Sequence, residues 1–156
     1  MFKRNHLREN GQSLVEFALT LPVLIIILSG MLDIGRIYFT FIALEEAAAE
    51  AALYLAINPM CPTSADPSVD PGNPCADPNN AFFRARNAGN QEVDWSLATV
   101  EWFRPVPYGI GDLVRVTVIY PYEFITPGIN SIAQGVTGGS GLELRIVANH
   151  IILFEQ

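Results

Sequence analysis

The most constraining feature of this 156-residue sequence is an apolar run close to its N-terminus. Residues 14–32 read LVEFALTLPVLIIILSGML, 19 residues in which Glu16 is the single ionisable side chain. As a helix rising about 1.5 Å per residue, the run would extend over roughly 28 Å, close to the hydrocarbon thickness of a bilayer. The alternative is a buried core helix, which a small domain would have to enclose on every side. The sequence therefore predicts a membrane-spanning helix.

The charges on either side of the run predict its orientation. Residues 1–11 carry three bases and one acid, whereas Asp33 and Arg36 nearly cancel after the run. Positive flanks stay on the cytoplasmic side of a membrane, so residues after 33 are expected outside the cytoplasm, in the cell envelope. A cleaved secretory signal shows the same order of segments, but this run is too long for a signal core and Ser29-Gly30-Met31 is a poor cleavage site. We expect a retained single-pass anchor.

Charge and composition exclude several classes of protein. The net charge is −7, and because residues 1–11 sum to +2, the rest of the chain carries −9. This balance argues against nucleic acid as a partner and against attraction to anionic lipid surfaces. Half of the residues are hydrophobic, which excludes intrinsic disorder.

Motifs for chemistry are nearly absent. The segment Gly138-Gly139-Ser140-Gly141 lacks the second glycine of a nucleophile elbow, and Gly109-Ile110-Gly111 lacks the third glycine of a dinucleotide-binding loop. We therefore expect no enzymatic activity, no cofactor, no metal and no small-molecule substrate.

Residues 33–57 extend the helix as an amphipathic stem that ends at Asn58-Pro59. At about 100° per residue, one face carries the polar positions Asp33, Arg36, Thr40, Glu46 and Glu50. The opposite face carries Ile34, Ile37, Phe41, Leu44, Ala48, Ala52 and Leu55, which need a cover from the rest of the chain. Pro22 interrupts the membrane-spanning part of the helix. A role in helix packing and the ordinary composition of membrane helices explain this proline equally well.

Residues 58–80 contain six prolines and read as a surface loop. Cys61 and Cys75, the two cysteines of the chain, lie in this loop on the side that is expected to be oxidising. We predict a disulfide between them, worth about 3 kcal/mol in the chain-entropy model. A zinc site is a weak alternative, because two thiols and two histidines, one of them in the basic leader, do not supply four ligands there.

In the remaining residues, apolar and polar side chains alternate with a period of two. After a short possible helix over 81–90, alternation predicts strands at 94–103, 113–124 and 142–154. An antiparallel sheet of about three strands, with its apolar face laid on the stem, satisfies both elements. The expected fold is α+β and pilin-like in outline, divided into a leader (1–11), a membrane helix with its stem (12–57) and an extracytoplasmic α+β domain (58–156).

The junction between leader and apolar run resembles the processing site of type IV prepilins. A basic leader ends at Gly11, and the fifth residue after it is Glu16. The resemblance implies that a prepilin peptidase cleaves between Gly11 and Gln12. It also implies that Glu16 pairs with the N-terminal amine of a neighbouring subunit, which would compensate a carboxylate in an apolar helix.

More narrowly, the N-terminal segment resembles the TadE-like family of tight-adherence pilus assembly proteins. The residues that match the family pattern are Gly11, Val15, Glu16, Ala18, Leu19, Pro22, Gly30, Asp33, Gly35 and Arg36. The resemblance implies a pseudopilin or minor pilin with membrane lipid and other pilin-like subunits as partners, Glu16 and Pro22 being the assembly residues. The alternative is an uncleaved single-pass accessory subunit of a larger membrane complex.

Overall fold

The computed structural model of the protein describes residues 9–63, 74–88, 93–139 and 141–153. In chain order the elements are α1 (Glu9–Ile57), α2 (Ala81–Ala88), β1 (Thr99–Phe103), β2 (Leu113–Tyr122), α3 (Ile129–Thr137) and β3 (Leu142–Ile151). The strands form one antiparallel sheet in the order β1-β2-β3. The predicted α+β class, a long N-terminal helix with a small antiparallel sheet, is confirmed.

Helix α1 is a continuous element of 49 residues that includes Pro22. At about 1.5 Å per residue it is roughly 70 Å long, more than twice the hydrocarbon thickness of a bilayer. Its N-terminal part is long and apolar enough to cross a membrane, and almost none of that part is buried inside the protein. The helix ends at Ile57, directly before Asn58-Pro59, and the chain is already helical at Glu9, the first described residue, which lies within the expected leader.

The hydrophobic core lies between the second half of α1 and the sheet. Leu44 and Leu55 of α1 are fully buried, as are Val114, Val116 and Val118 of β2. Four of the five alanines between the two leucines are buried as well, and their small side chains allow the sheet to approach the helix closely. In β3, exposed residues alternate with half-buried or buried ones, as the sequence period predicts, whereas β2 buries Thr117 in addition to Val114, Val116 and Val118.

The faces predicted for the stem are wrong in its first half. Ile34 and Phe41 were expected on the covered face but are 70% and 42% exposed, whereas Asp33 was expected on the polar face and is 2% exposed. The physical reason is that the chain after β2 approaches α1 with backbone N–H groups, at Ile125 and Thr126. These donors need an acceptor, so the covered side of the helix is the one that carries Asp33.

Helix α3 was not predicted, since no element was expected between the strands at 113–124 and 142–154. Gly128 and Gly138 flank the helix with φ of 84° and 73°, a region that glycine adopts at little cost. The other boundaries differ by a few residues. Strand β1 begins at Thr99 and not at 94, β2 and β3 end earlier than expected, and Phe154 lies outside the described residues.

Candidate functional site

The predicted processing and assembly residues lie together on the first turns of α1. Gly11, Gln12 and Glu16 are all exposed. The Gln12 side-chain amide donates a hydrogen bond to Glu16 Oε1 at 3.1 Å, across one helical turn. Among the residues that the structure describes, Gln12 is the one hydrogen-bond partner of the Glu16 side chain. The Glu16 carboxylate is therefore accessible to a group from another molecule.

Among the described residues, no side chain packs closely against Gly30 or Gly35, and Pro22 is uncovered. Pro22 is exposed and α1 continues through it. A Cβ atom added at Gly30 or Gly35 would meet no heavy atom within 4 Å. The described part of the fold consequently leaves room for a larger residue at either glycine.

Asp33 forms a buried link between α1 and the segment that follows β2. Its carboxylate accepts a hydrogen bond from the backbone N–H of Ile125 at 2.8 Å and one from that of Thr126 at 2.9 Å. The Thr126 hydroxyl donates a third, at 2.6 Å. We call this group, Asp33 with Ile125 and Thr126, the Asp33 link.

Three neighbouring side chains surround the Asp33 link. The Tyr122 hydroxyl donates to the Asp33 carbonyl at 3.3 Å, and burial raises the pKa of this phenol above its usual value, so that it stays a donor. The Arg36 guanidinium lies 3.7 Å from the Asp33 carboxylate and 5.6 Å from the centre of the Tyr122 ring. The hydroxyl oxygens of Ser29 and Thr126 are 3.2 Å apart. These contacts attach the end of the apolar run to residues 99–151, which contain the three strands and which we call the sheet domain.

Sequence reasoning missed the Asp33 link, although it noted several of its residues. Asp33 and Arg36 were matched to a family pattern and placed on a solvated face. The signal that points to the link is a carboxylate at the end of an apolar run, since a charge at that position needs hydrogen-bond partners. Its partner Thr126 is 93 residues away in sequence, so the pairing itself carries no local pattern.

A disulfide joins Cys61 to Cys75, 14 residues apart, as the sequence predicts. The Ala81 N–H donates to the Cys61 carbonyl at 3.0 Å, and the buried Asn80 side chain donates to the Cys75 carbonyl at 3.2 Å. The Asn80 side-chain oxygen also accepts from the Phe83 N–H at 2.7 Å and so caps α2. The disulfide therefore holds the start of α2 beside the end of α1.

Replacing both cysteines by serine is expected to lower the free energy of unfolding by about 3 kcal/mol, because the closed loop restricts the unfolded chain. Urea denaturation in detergent, followed by tryptophan fluorescence, measures this change, since Trp95 and Trp102 both lie outside α1. Alkylation of the native protein without reductant is the control and should label neither thiol. Labelling of both Cys61 and Cys75 would contradict the disulfide.

In the part of the chain that the structure describes, no three His, Cys, Asp or Glu side chains cluster in a way that could hold a metal ion. From Gly11 to Asp33, α1 carries the exposed Glu16 carboxylate, the buried and hydrogen-bonded Asp33 carboxylate, and apolar surface. This arrangement suits attachment to lipid and to other helices.

Comparison with known proteins bears on the same helix. Residues 11–53 match the family model of TadE-like proteins. No curated protein and no solved structure matches the chain. The matched segment begins at Gly11, includes Glu16, Pro22 and Asp33, and ends within the buried part of the stem. The resemblance to the TadE-like family, which is related to pilus assembly, is therefore confirmed over residues 11–53.

Proposed function

We propose that this protein is a pseudopilin or minor pilin, a non-enzymatic subunit of a tight-adherence pilus or of a related secretion system. Residues 14–32 would anchor it in the cell membrane with the N-terminus in the cytoplasm and the sheet domain outside. The observation that carries the proposal is the exposure of the apolar half of α1 within the segment that matches TadE-like proteins.

The exposed apolar surface of α1 requires a cover that the described part of the chain does not supply. Leu14 is 70% exposed, Leu24 is 51% exposed and Leu28 is 52% exposed. Such a surface is unfavourable in water, where each buried Å² of apolar area is worth roughly 25 cal/mol. Lipid, or the helices of neighbouring subunits, supplies the cover.

The proposed processing step is cleavage by a prepilin peptidase between Gly11 and Gln12. Gly11 lies in α1, and glycine disfavours helix by about 1 kcal/mol relative to alanine, so the helix opens more readily here than it would at an alanine. The mature chain would then begin one turn before Glu16.

In this proposal Glu16 binds the N-terminal amine of a neighbouring subunit. Its carboxylate is exposed, and a charge pair at the edge of a bilayer is stronger than one in water. The open space around Gly30 and Gly35 fits the close approach of a neighbouring helix. Pro22 would contact the same neighbours.

The assembly role is tested by replacing Glu16 with alanine in the native cell. We expect the variant to stay in the membrane fraction but to lose at least tenfold in copurification with the other subunits of the pilus system. Glu46→Ala is the matched control, because Glu46 is an exposed glutamate on the same helix beyond the apolar run. Equal copurification of the two variants and the native protein would contradict the role of Glu16.

The second candidate is an uncleaved single-pass accessory subunit of a larger membrane complex. One observation favours it: α1 passes from Glu9 through Gly11 into the apolar run without a break, so the end of the leader and the membrane segment form one element. This candidate predicts stable copurification with a membrane complex in detergent, with the leader intact. Isolation solely as a homopolymeric filament would contradict it.

A further inference from the structure

The part of the connection between β2 and β3 that follows Glu123, residues 124–141, is free of charge in an otherwise acidic domain. No ionisable side chain occurs between Glu123 and Glu143. Helix α3 lies in this connection, and none of its residues is buried. Ile132 is 67% exposed and Val136 is 82% exposed, so the helix presents apolar side chains that the described part of the protein leaves uncovered.

The Asp33 link fixes where this connection lies relative to the apolar run. Thr126 is hydrogen-bonded to Asp33, and its hydroxyl oxygen is 3.2 Å from that of Ser29. Ser29 precedes the end of the apolar run at Leu32 by three residues, about 4.5 Å along a helix. If the run spans the bilayer, Thr126 is at the level of the extracytoplasmic lipid headgroups. Helix α3 begins three residues later, at Ile129.

Hydrogen bonds also restrain the start of α3. The Asn130 side chain accepts from the Phe124 N–H at 2.9 Å and donates to the Phe124 carbonyl at 3.0 Å. At about 100° per residue, Ile132 and Val136 share one face of α3, whereas Ser131 and Gln134 lie on the opposite face. The helix is amphipathic although it carries no charge.

We propose that α3 is an interfacial helix that inserts its Ile132 and Val136 face at the headgroup–acyl boundary of the leaflet from which α1 emerges. The inference rests on the proposed membrane anchoring of α1. Lipid is the occupant that the structure favours, because hydrogen bonds at Thr126 hold the start of this segment beside the end of the apolar run. Because this face is uncharged, burial of apolar surface would drive its binding to the membrane, without attraction to anionic headgroups. The bilayer then holds the sheet domain through α1 and through α3. Two attachments fix the tilt of the domain relative to the membrane.

Spin labels on the full chain in phosphatidylethanolamine–phosphatidylglycerol nanodiscs test this inference. Both native cysteines are in the disulfide, so Ile132→Cys introduces a single reactive thiol, at an exposed position that tolerates the change. Gln134→Cys on the opposite face is the matched control, and Leu24→Cys reports on the anchor. We expect the ratio of collisions with oxygen to collisions with a water-soluble nickel chelate to be severalfold higher at Ile132 than at Gln134.

The outcomes separate this inference from the proposed anchoring. A lipid-exposed label at Leu24 together with a label at Ile132 that is as water-accessible as the one at Gln134 would overturn the inference alone. A label at Ile132 that is shielded from both oxygen and nickel would overturn it in favour of a protein partner. A water-accessible label at Leu24 would overturn the membrane anchoring, and the inference with it.

Discussion

Replacing Asp33 by alanine is expected to release the segment after β2 from α1, at a cost of about 3 kcal/mol or more. The buried carboxylate accepts three hydrogen bonds, and a hydrogen bond to a charged group is worth about 1.5–3 kcal/mol. Its removal also leaves the N–H groups of Ile125 and Thr126 without their acceptor. Hydrogen exchange at these two amides, in detergent micelles, measures the free energy of local opening.

Two further variants serve as comparisons for Asp33→Ala. Thr126→Val removes the hydroxyl and keeps both backbone donors, so we expect an intermediate loss of about 1 kcal/mol. Asp94→Ala removes an exposed carboxylate that hydrogen-bonds to its neighbour Ser96, and it should leave the exchange of Ile125 and Thr126 unchanged. Exchange in Asp33→Ala at the native rate would show that the Asp33 link does not hold the segment.

Leu55→Ala is expected to lower the free energy of unfolding of the sheet domain by about 3 kcal/mol. Leu55 is fully buried in the core between α1 and the sheet, and truncation of a buried leucine costs 2–5 kcal/mol through lost burial and the cavity left behind. Urea denaturation followed by the fluorescence of Trp95 and Trp102 measures the loss.

Leu53 offers a matched control for this prediction, since it lies two residues away on the same helix and is 39% exposed. Leu53→Ala should cost less than about 1 kcal/mol, because much of the side chain is in solvent in both states. If the two substitutions cost the same, the face of α1 that packs on the sheet has been assigned wrongly.

The elements with a strong sequence period were predicted well. The apolar run, the end of α1 at Asn58-Pro59 and the strands β2 and β3 were predicted from local signals, and the structure contains each of these elements. The second half of the stem buries Leu44 and Leu55 as its helical period predicts. Here the hydrophobic effect decides the outcome, and a period of 3.6 or 2 is sufficient to identify the buried face.

The Asp33 link and α3 could not be predicted in the same way. The hydrogen-bond donors to the buried Asp33 carboxylate are more than 90 positions away in sequence. A local pattern of apolar and polar residues cannot indicate such a contact. Helix α3 has 9 residues, too few to be stable in isolation, and flanking glycines made its sequence resemble a loop. Both features depend on how the chain returns to α1 after β2.

The Asp33 link and the core attach the sheet domain to α1 at two levels. Asp33 holds the domain at the end of the apolar run, and the Leu44–Leu55 region holds it along the stem. A subunit that leaves the bilayer to join an assembly would consequently move its helix and its domain together. In the proposed function, Glu16 is then the group that binds the neighbouring subunit.

The mass of the intact protein purified from its native membrane is the most direct test of the pilin-like function. We predict a species that begins at Gln12, with Cys61 and Cys75 oxidised, and the conversion to this species should be blocked in a peptidase-deficient cell. A population in which every molecule retains the leader through Gly11 would contradict the proposal and leave the uncleaved accessory subunit.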